Sequence, residues 1–272
     1  MPALNATLRN FKGIGDALLS FIFERKLFLR TQSFPLWALW FHETFDSINE
    51  VLFLSDYRES IIRTDAREVG VFLDQKQIQL FLIYLRELKE WNQKVNLTSL
   101  KDDTSIIKNH FIDSLSIIPH LPSAISLLDM GAGAGFPGVP LKIARPPLQV
   151  TLLEATRKKA NFLRHLIRTL ELSHITTIEG RAEAVTAHDQ PHPLFDIVIS
   201  RALARLKNFL LLGAPFVKKG GYLLAMKGGK AEEELHESRK TLRKLSFAVS
   251  RVQEVQLPGN KKKRCLILLK KS

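Results

Sequence analysis

The stretch Asp129-Met130-Gly131-Ala132-Gly133-Ala134-Gly135-Phe136-Pro137-Gly138 decides the fold of this chain. It follows a short apolar run, Ile125–Met130, and precedes a segment, Gly138–Ala144, that reads as a helix. Strand, glycine loop and helix in that order form a βα turn. Small residues there let a ligand approach backbone N–H groups, and the helix N-terminus favours an anionic group. The spacing is Gly131-x-Gly133-x-Gly135, which departs from the G-x-G-x-x-G of a dinucleotide fingerprint. Glu154 stands 25 residues beyond Asp129 and closes the next β-prone run, Val150–Leu153. A carboxylate in that place can accept hydrogen bonds from a ribose diol.

Working outward, strand and helix patterns alternate downstream of the loop. Arg157–Leu172 is a basic amphipathic helix, His174–Ile178 a strand and Phe195–Ser200 a strand of the buried type. Leu206–Val217 reads as a helix, Gly221–Met226 as a strand and Ala231–Lys244 as a charged helix. Phe247–Val255 and Arg264–Leu269 alternate like strands joined through Pro258-Gly259-Asn260, so this last pair is antiparallel. Repeated βα units imply an α/β fold, a Rossmann-like, doubly wound sheet with an antiparallel last strand. Upstream, Asp74 and Gln77 form a capping box for a helix running to Trp91 and ending near Asn92–Asn96. A second helical stretch covers Ile106–Ile118, before Pro119 and Pro122 break the chain.

Composition divides the chain. Residues 1–72 hold 12 of its 23 aromatic residues and a net charge of −1, from 8 Lys+Arg against 9 Asp+Glu. Residues 73–272 carry 32 Lys+Arg and 18 Asp+Glu, a net of +14. Three segments follow: 1–72, a helical extension or residues upstream of the true start; 73–122, a helical lead-in; 123–272, the ligand-binding core. The basic balance makes a polyanion the natural partner, and because the charge travels with the core, nucleic acid is favoured over a membrane surface. No run reaches the length of a membrane span, and the N-terminus lacks the pattern of a signal peptide. The single cysteine, Cys265, excludes an internal disulfide and a Cys-based zinc site and fits a reducing, cytoplasmic setting. None of the eight histidines shows a metal or triad spacing, so no metal is expected.

Around the loop stand further local motifs. Trp91-Asn92, Asn96-Leu97-Thr98, His110 and Asp113-Ser114-Leu115 precede it. Arg181-Ala182-Glu183, Phe195-Asp196-Ile197-Val198, Ser200-Arg201-Ala202, Lys218-Lys219-Gly220-Gly221 and Ala225-Met226-Lys227-Gly228 follow. The glycine loop looks like the first motif of class I S-adenosylmethionine-dependent methyltransferases. The ordered set closely resembles the bacterial small-subunit ribosomal RNA guanine-N7 methyltransferase family, also called the glucose-inhibited division protein B family. The resemblance covers about residues 75–270 and is silent on residues 1–72.

The resemblance implies S-adenosyl-L-methionine as cofactor and 16S ribosomal RNA, or a small-subunit intermediate, as partner. It implies cofactor contacts at Gly131, Phe136, Ala182, Glu183 and Arg201, and the loop reading adds Gly133, Gly135 and Glu154. Ala182 and Glu183 would lie beside the adenine, and Arg201 would orient the cofactor carboxylate or an RNA phosphate. Guanine N7 has an in-plane lone pair and no proton to lose, so no general base is required. Against each functional reading stands a bland one: His110 a core or capping histidine, Arg201 a surface arginine, Asp196 a strand-edge structural residue, each basic run a solvated surface. Phe136 and Trp91 are the candidates for stacking on a base. Rival functions are an RNA-binding or ribosome-assembly protein with a vestigial cofactor site, a class I methyltransferase with a protein or small-molecule acceptor, and, more distantly, an NAD-dependent oxidoreductase.

Overall fold

The computed structural model describes residues 57–122, 124, 126–187, 193–201, 204–259 and 263–272. The reading of residues 1–56 as an extension lies outside the described residues. Residues 57–68 form helix α1. Helix α2 follows at Gln75–Asn92, opened by the capping box between Asp74 and Gln77 that the sequence predicts. Helix α3 is composite: an α-turn at Asp103–Ile106, a π segment at Ile107–Ile112 and an α-turn at Asp113–Leu115. Asp102 caps it by accepting from the Ser105 N–H, which starts it three residues before the apolar pattern begins.

Beyond these the chain alternates as expected. The strands are β1 (Ser126–Met130), β2 (Gln149–Glu154), β3 (Ile175–Glu179), β4 (Phe195–Arg201), β5 (Val217–Lys227), β6 (Phe247–Gln256) and β7 (Lys263–Lys271). Between them run α4 (Gly138–Ala144), α5 (Arg157–Thr169), α6 (Ala182–Ala187), α7 (Leu206–Gly213) and α8 (Ala231–Lys244). One seven-stranded sheet forms in the order β3-β2-β1-β4-β5-β7-β6. Strands β1 to β5 are parallel and β7 is antiparallel to both β5 and β6. The order reverses at β1, so β1 and β4 flank the crevice where ligands of open α/β sheets bind.

Alternation along the strands sends side chains to two cores. Leu127, Ile197 and Ile199 pack under α2, α3, α4 and α5, together with Phe81, Tyr84, Phe111 and Phe162. Leu128, Val198 and Leu223 pack under α7 and α8, with Phe209 and Leu242.

Two sequence readings shift. The helix expected over Leu206–Val217 ends at Gly213, because Pro215 has no N–H to continue it; a 3-10 turn at Ala214–Phe216 follows and Val217 already belongs to β5. The helix expected over Arg157–Leu172 stops at Thr169 with Leu170 as its C-cap, and Glu171 turns the chain at a φ of 49°. Within the described residues upstream of α2, Ile62, Ala66 and Val71 are buried in the same core as α2. Aromatic content marks a change of composition, whereas burial decides what folds together.

Candidate active site

The glycine loop is held from below by β2. Gly131 and Ala132 donate to the Leu153 carbonyl at 2.9 and 3.1 Å. Gly131, Gly133 and Gly135 take φ values of 74°, 59° and 98°, a region side-chain-bearing residues avoid. Gly135 is needed for room as well: a Cβ there would lie 2.7 Å from Tyr84 Oη and 2.8 Å from Val139 Cγ2. The loop therefore sits flush on α2 and α4 and presents backbone, not side chains, at the end of β1.

Two carboxylates close this edge. Glu154 is buried at the end of β2; Oε2 accepts from the Gly133 N–H at 2.9 Å and Oε1 from the Thr156 N–H at 2.8 Å. Two backbone donors thus fix its plane while each oxygen keeps a further lone pair. Asp129 is fully buried at the end of β1, and its Oδ2 accepts from the Gly138 N–H at 2.8 Å. Its Oδ1 has no partner among the described residues. Burial pushes the Asp129 carboxyl up to about 7, against the pull of the Gly138 N–H and Arg201.

Beside the loop, the motifs upstream of it assemble into one structure. Asn92 at the end of α2 accepts from the N–H groups of Leu97 and Thr98 and donates to the Thr98 carbonyl, pinning that turn. His110 Nδ1 lies 3.0 Å from the Asn109 carbonyl, so it donates there, and Nε2 accepts from Thr98 Oγ1 at 2.8 Å. Burial, aided by Arg201, pushes His110 down to about 4. His110 is thus a neutral core histidine with both nitrogens engaged, as the bland reading had it, and it packs on Phe136 at 4.6 Å.

Phe136 is 4% exposed, against Tyr84, His110 and Phe111, with the Arg201 guanidinium 5.0 Å from its ring centre. It shapes the loop from within and offers no free face to a base. Trp91, the other stacking candidate, packs on Phe162 and His165. Arg201 at the end of β4 is no surface residue. It donates to the Asn109 carbonyl at 3.1 Å and pairs with Asp113 Oδ2 at 3.3 Å. Ala182 is buried at the start of α6, and Glu183 beside it is exposed.

Sequence reasoning missed Asp113 as the hub here. Asp113 is fully buried; Oδ2 takes Arg201 and Oδ1 takes Arg264 Nε at 2.9 Å. An acid inside the apolar pattern Phe111-Ile112-Asp113-Ser114-Leu115 was the available signal, since a buried charge needs a partner. Its placement depends on the π segment, which periodicity of 3.6 does not foresee; such segments cluster at functional sites. Asp196, by contrast, is structural, as read: Oδ2 accepts from the Ser126 N–H and Oγ–H, and Oδ1 pairs with Lys218.

Among the described residues no cluster of three His, Cys, Asp or Glu is placed to hold a metal, and no helix is long and apolar enough to cross a membrane. What the edge offers is a backbone cradle, a carboxylate fixed by two backbone donors, a buried carboxylate with an open oxygen and two partly exposed guanidiniums.

Comparison with known proteins gives the family. The family model for rRNA small subunit methyltransferase G matches residues 77–265. The ribosomal RNA small subunit methyltransferase G of Acetivibrio thermocellus is 44% identical over 203 residues, covering 74% of this chain and 84% of the relative. That of Lachnoclostridium phytofermentans is 42% identical over 207 residues, covering 75% and 86%. That of Desulfitobacterium hafniense is 39% identical over 219 residues, covering 80% and 91%. A solved structure, precorrin-6y C5,15-methyltransferase from Geobacter metallireducens, aligns at a TM-score of 0.44 and 16% identity over 64% of this chain and 90% of that one. By the match over residues 77–265 and these identities, the chain belongs to the ribosomal RNA small subunit methyltransferase G family.

Proposed function

We propose that this chain transfers a methyl group from S-adenosyl-L-methionine to N7 of one guanine in 16S ribosomal RNA, within the small ribosomal subunit or an assembly intermediate of it. The observation that carries the reading is family membership joined to a backbone cradle of glycines at the crevice between β1 and β4. The residues fit the donor on two counts. Asp129 Oδ1 is a buried acceptor with no partner among the described residues, suited to a cationic or N–H group. The positive-φ glycines leave the backbone of 131–135 free of side chains where a ligand must approach.

In this reading Gly131, Gly133, Gly135 and Phe136 form the cradle, Glu154 receives the ribose diol, Ala182 and Glu183 flank the adenine, and Arg201 orients the donor carboxylate or an RNA phosphate. When bound, S-adenosylmethionine supplies an electrophilic methyl on a sulfonium. The rest is alignment. Guanine N7 presents its lone pair without losing a proton, so the chain has only to hold the acceptor in line. No side chain then needs to act as base, which agrees with His110, neutral down to about pH 4 and bonded through both ring nitrogens. Arg201 is held in place by Asp113 and by its position over Phe136, so its orientation is set before any ligand arrives.

The test is incubation of purified protein with labelled donor and either 16S RNA or small subunits, followed by nucleoside analysis. The proposal expects 7-methylguanosine at a single site. Donor binding without that product in either substrate overturns the acceptor assignment and favours a protein or small-molecule acceptor. Absence of donor binding by calorimetry favours an RNA-binding protein with a vestigial site.

A further inference from the structure

The cations of this chain separate by position and by what they already hold. Lys218, Lys270 and Lys271 lie at the amino edge of the parallel strands, where β5 begins and antiparallel β7 ends. Lys218 is paired with Asp196, and Lys271 donates to the carbonyls of Ala214 and Val217. Arg264 lies at the opposite edge. It opens β7 two residues before Leu266, which pairs with Met226, itself the partner of Arg201. Leu266, Leu268 and Met226 face the α2–α5 core, and alternation places Arg264 on that same face beside Arg201.

The two arginines nevertheless serve different directions. Arg201 is 19% exposed, and its guanidinium lies 5.0 Å from the ring centre of Phe136, on the glycine-loop side. Arg264 is 32% exposed and stands across the Asp113 carboxylate from Arg201, on Oδ1 where Arg201 is on Oδ2. Among the described residues it makes one ion pair, through Nε to Asp113 Oδ1 at 2.9 Å. That single bond fixes the guanidinium plane and leaves the four N–H donors of its two terminal nitrogens for an outside acceptor. A fixed guanidinium fork at the mouth of a site matches the oxygens of a phosphate.

We propose that Arg264, oriented by Asp113, is a binding residue for a phosphate of the RNA strand that delivers the target guanine, on the acceptor side of the site. The proposal rests on the RNA reading above. It divides the labour at Asp113: one carboxylate fixes the donor-side arginine through Oδ2 and the acceptor-side arginine through Oδ1. A phosphate contact of this kind positions the strand and carries no sequence information.

The experiment compares wild type with Arg264→Gln and Arg264→Lys, using small ribosomal subunits, labelled donor and a range of salt concentrations. Arg264→Gln is expected to raise KM for the subunits on the order of tenfold and to lower the salt dependence of RNA binding by about one phosphate equivalent. Donor affinity and kcat at saturating subunits should hold. Arg264→Lys keeps the charge and loses the fork, so its salt slope should stay while KM rises by a smaller factor. An unchanged KM in either folded variant overturns the proposal, as does a loss of donor affinity matching that of Arg201→Gln, which would place Arg264 on the donor side. Should Arg264→Gln fail to fold, the lysine variant decides. Wild-type protein that methylates no RNA defeats the RNA reading itself, whereas active wild type with indifferent variants defeats only the role of Arg264.

Discussion

The two edges of the sheet are built from similar residues and behave differently. At the amino edge the polar groups, the exposed Lys270 apart, have partners within the fold. Asp196 is shared by Ser126 and Lys218; the Lys142 ammonium reaches the Leu148 and Pro146 carbonyls; Lys271 reaches those of Ala214 and Val217; Gln77 caps the Ile143 carbonyl. At the carboxyl edge bonds are left open. Asp129 has an unpartnered oxygen, Glu154 spends one lone pair on each of two backbone donors, and Arg264 spends one donor of five. Closed hydrogen bonding stabilises a fold, whereas open, buried capacity costs stability and serves a ligand. Substitutions at the carboxyl edge should therefore cost binding, and those at the amino edge should cost stability alone.

The strongest test of that contrast is Gly135→Ala. A methyl group there meets Tyr84 Oη at 2.7 Å and Val139 Cγ2 at 2.8 Å, on a backbone with φ of 98°. Overpacking of this kind costs about 1–3 kcal/mol, and the left-handed φ adds about 1–2 kcal/mol. The loop should lift from α2, and donor affinity measured by calorimetry should fall beyond detection while far-UV circular dichroism persists. Wild-type donor affinity in a folded Gly135→Ala protein would break the comparison at its centre.

Next in size is Asp129→Asn. Asp129 ordinarily titrates near 3.8 and is pushed to about 7 in the fold. The folded chain thus keeps a proton that the unfolded chain has lost, and this group's contribution to stability declines as pH rises from about 4 to about 7. His110 works the other way. Ordinarily near 6.5 and pushed to about 4, it contributes stability above pH 6.5 that is lost as pH falls toward 4. In wild type the two slopes oppose each other. Removing the acid leaves the histidine slope exposed, so urea unfolding of Asp129→Asn from about pH 4.5 to 8 should show stability rising with pH more steeply than in wild type. At pH 8 the variant should be the more stable protein and the weaker donor binder. A variant less stable than wild type at pH 8 would mean that Asp129 holds the fold together and is not held open for a ligand.

The reading of the sequence succeeded where one local pattern decides the outcome. The run from Asp129 to Gly138 specifies strand, turn and helix, and the distance of Glu154 from the loop sets it at the end of β2 beside Gly133, because the end of a parallel strand next to β1 is fixed by topology. Helix α4 and helix α8 fall where periodicity put them. What stayed hidden depends on contacts distant in sequence. Asp113 and Arg264 are separated by 151 positions, and no local pattern announces their pairing. Phe136 looked like an aromatic on a ligand loop; its cover by Tyr84 from α2 and His110 from α3 is a tertiary fact. The charge runs were visible, but only the strand directions show that Lys218 and Lys270 lie at the edge opposite Arg264.

A smaller effect, and one confined to stability, is expected from Asp196→Ala at the amino edge. The change removes the acceptor for the Ser126 N–H and Oγ–H and the partner of Lys218. Lys218 is exposed enough that its share is small, so the cost should lie in the part-buried bonds, at about 1–3 kcal/mol. Thermal unfolding should shift down while donor affinity and the salt dependence of RNA binding remain those of wild type. A weakened RNA interaction would show that the two edges are not independent.

The smallest effect is expected from Lys270→Ala, and its size is what gives it weight. Lys270 is exposed, with its ammonium 5.9 Å from the Tyr222 ring centre, a contact worth about 0.5–1 kcal/mol at such a site. If RNA affinity came from the net charge of +14 on residues 73–272, removing one cation would cost the same at either edge. If it comes from phosphates lying across the carboxyl edge, Lys270→Ala should leave KM for small subunits and the salt slope within error of wild type, while Arg264→Gln changes both. Screening favours the second outcome, because at physiological salt a charge acts over about 8 Å, whereas the run of β7 from Arg264 to Lys270 spans about 20 Å. Equal losses in the two variants would mean that the chain binds RNA by diffuse charge, and the distinction between its edges would then apply to the donor alone.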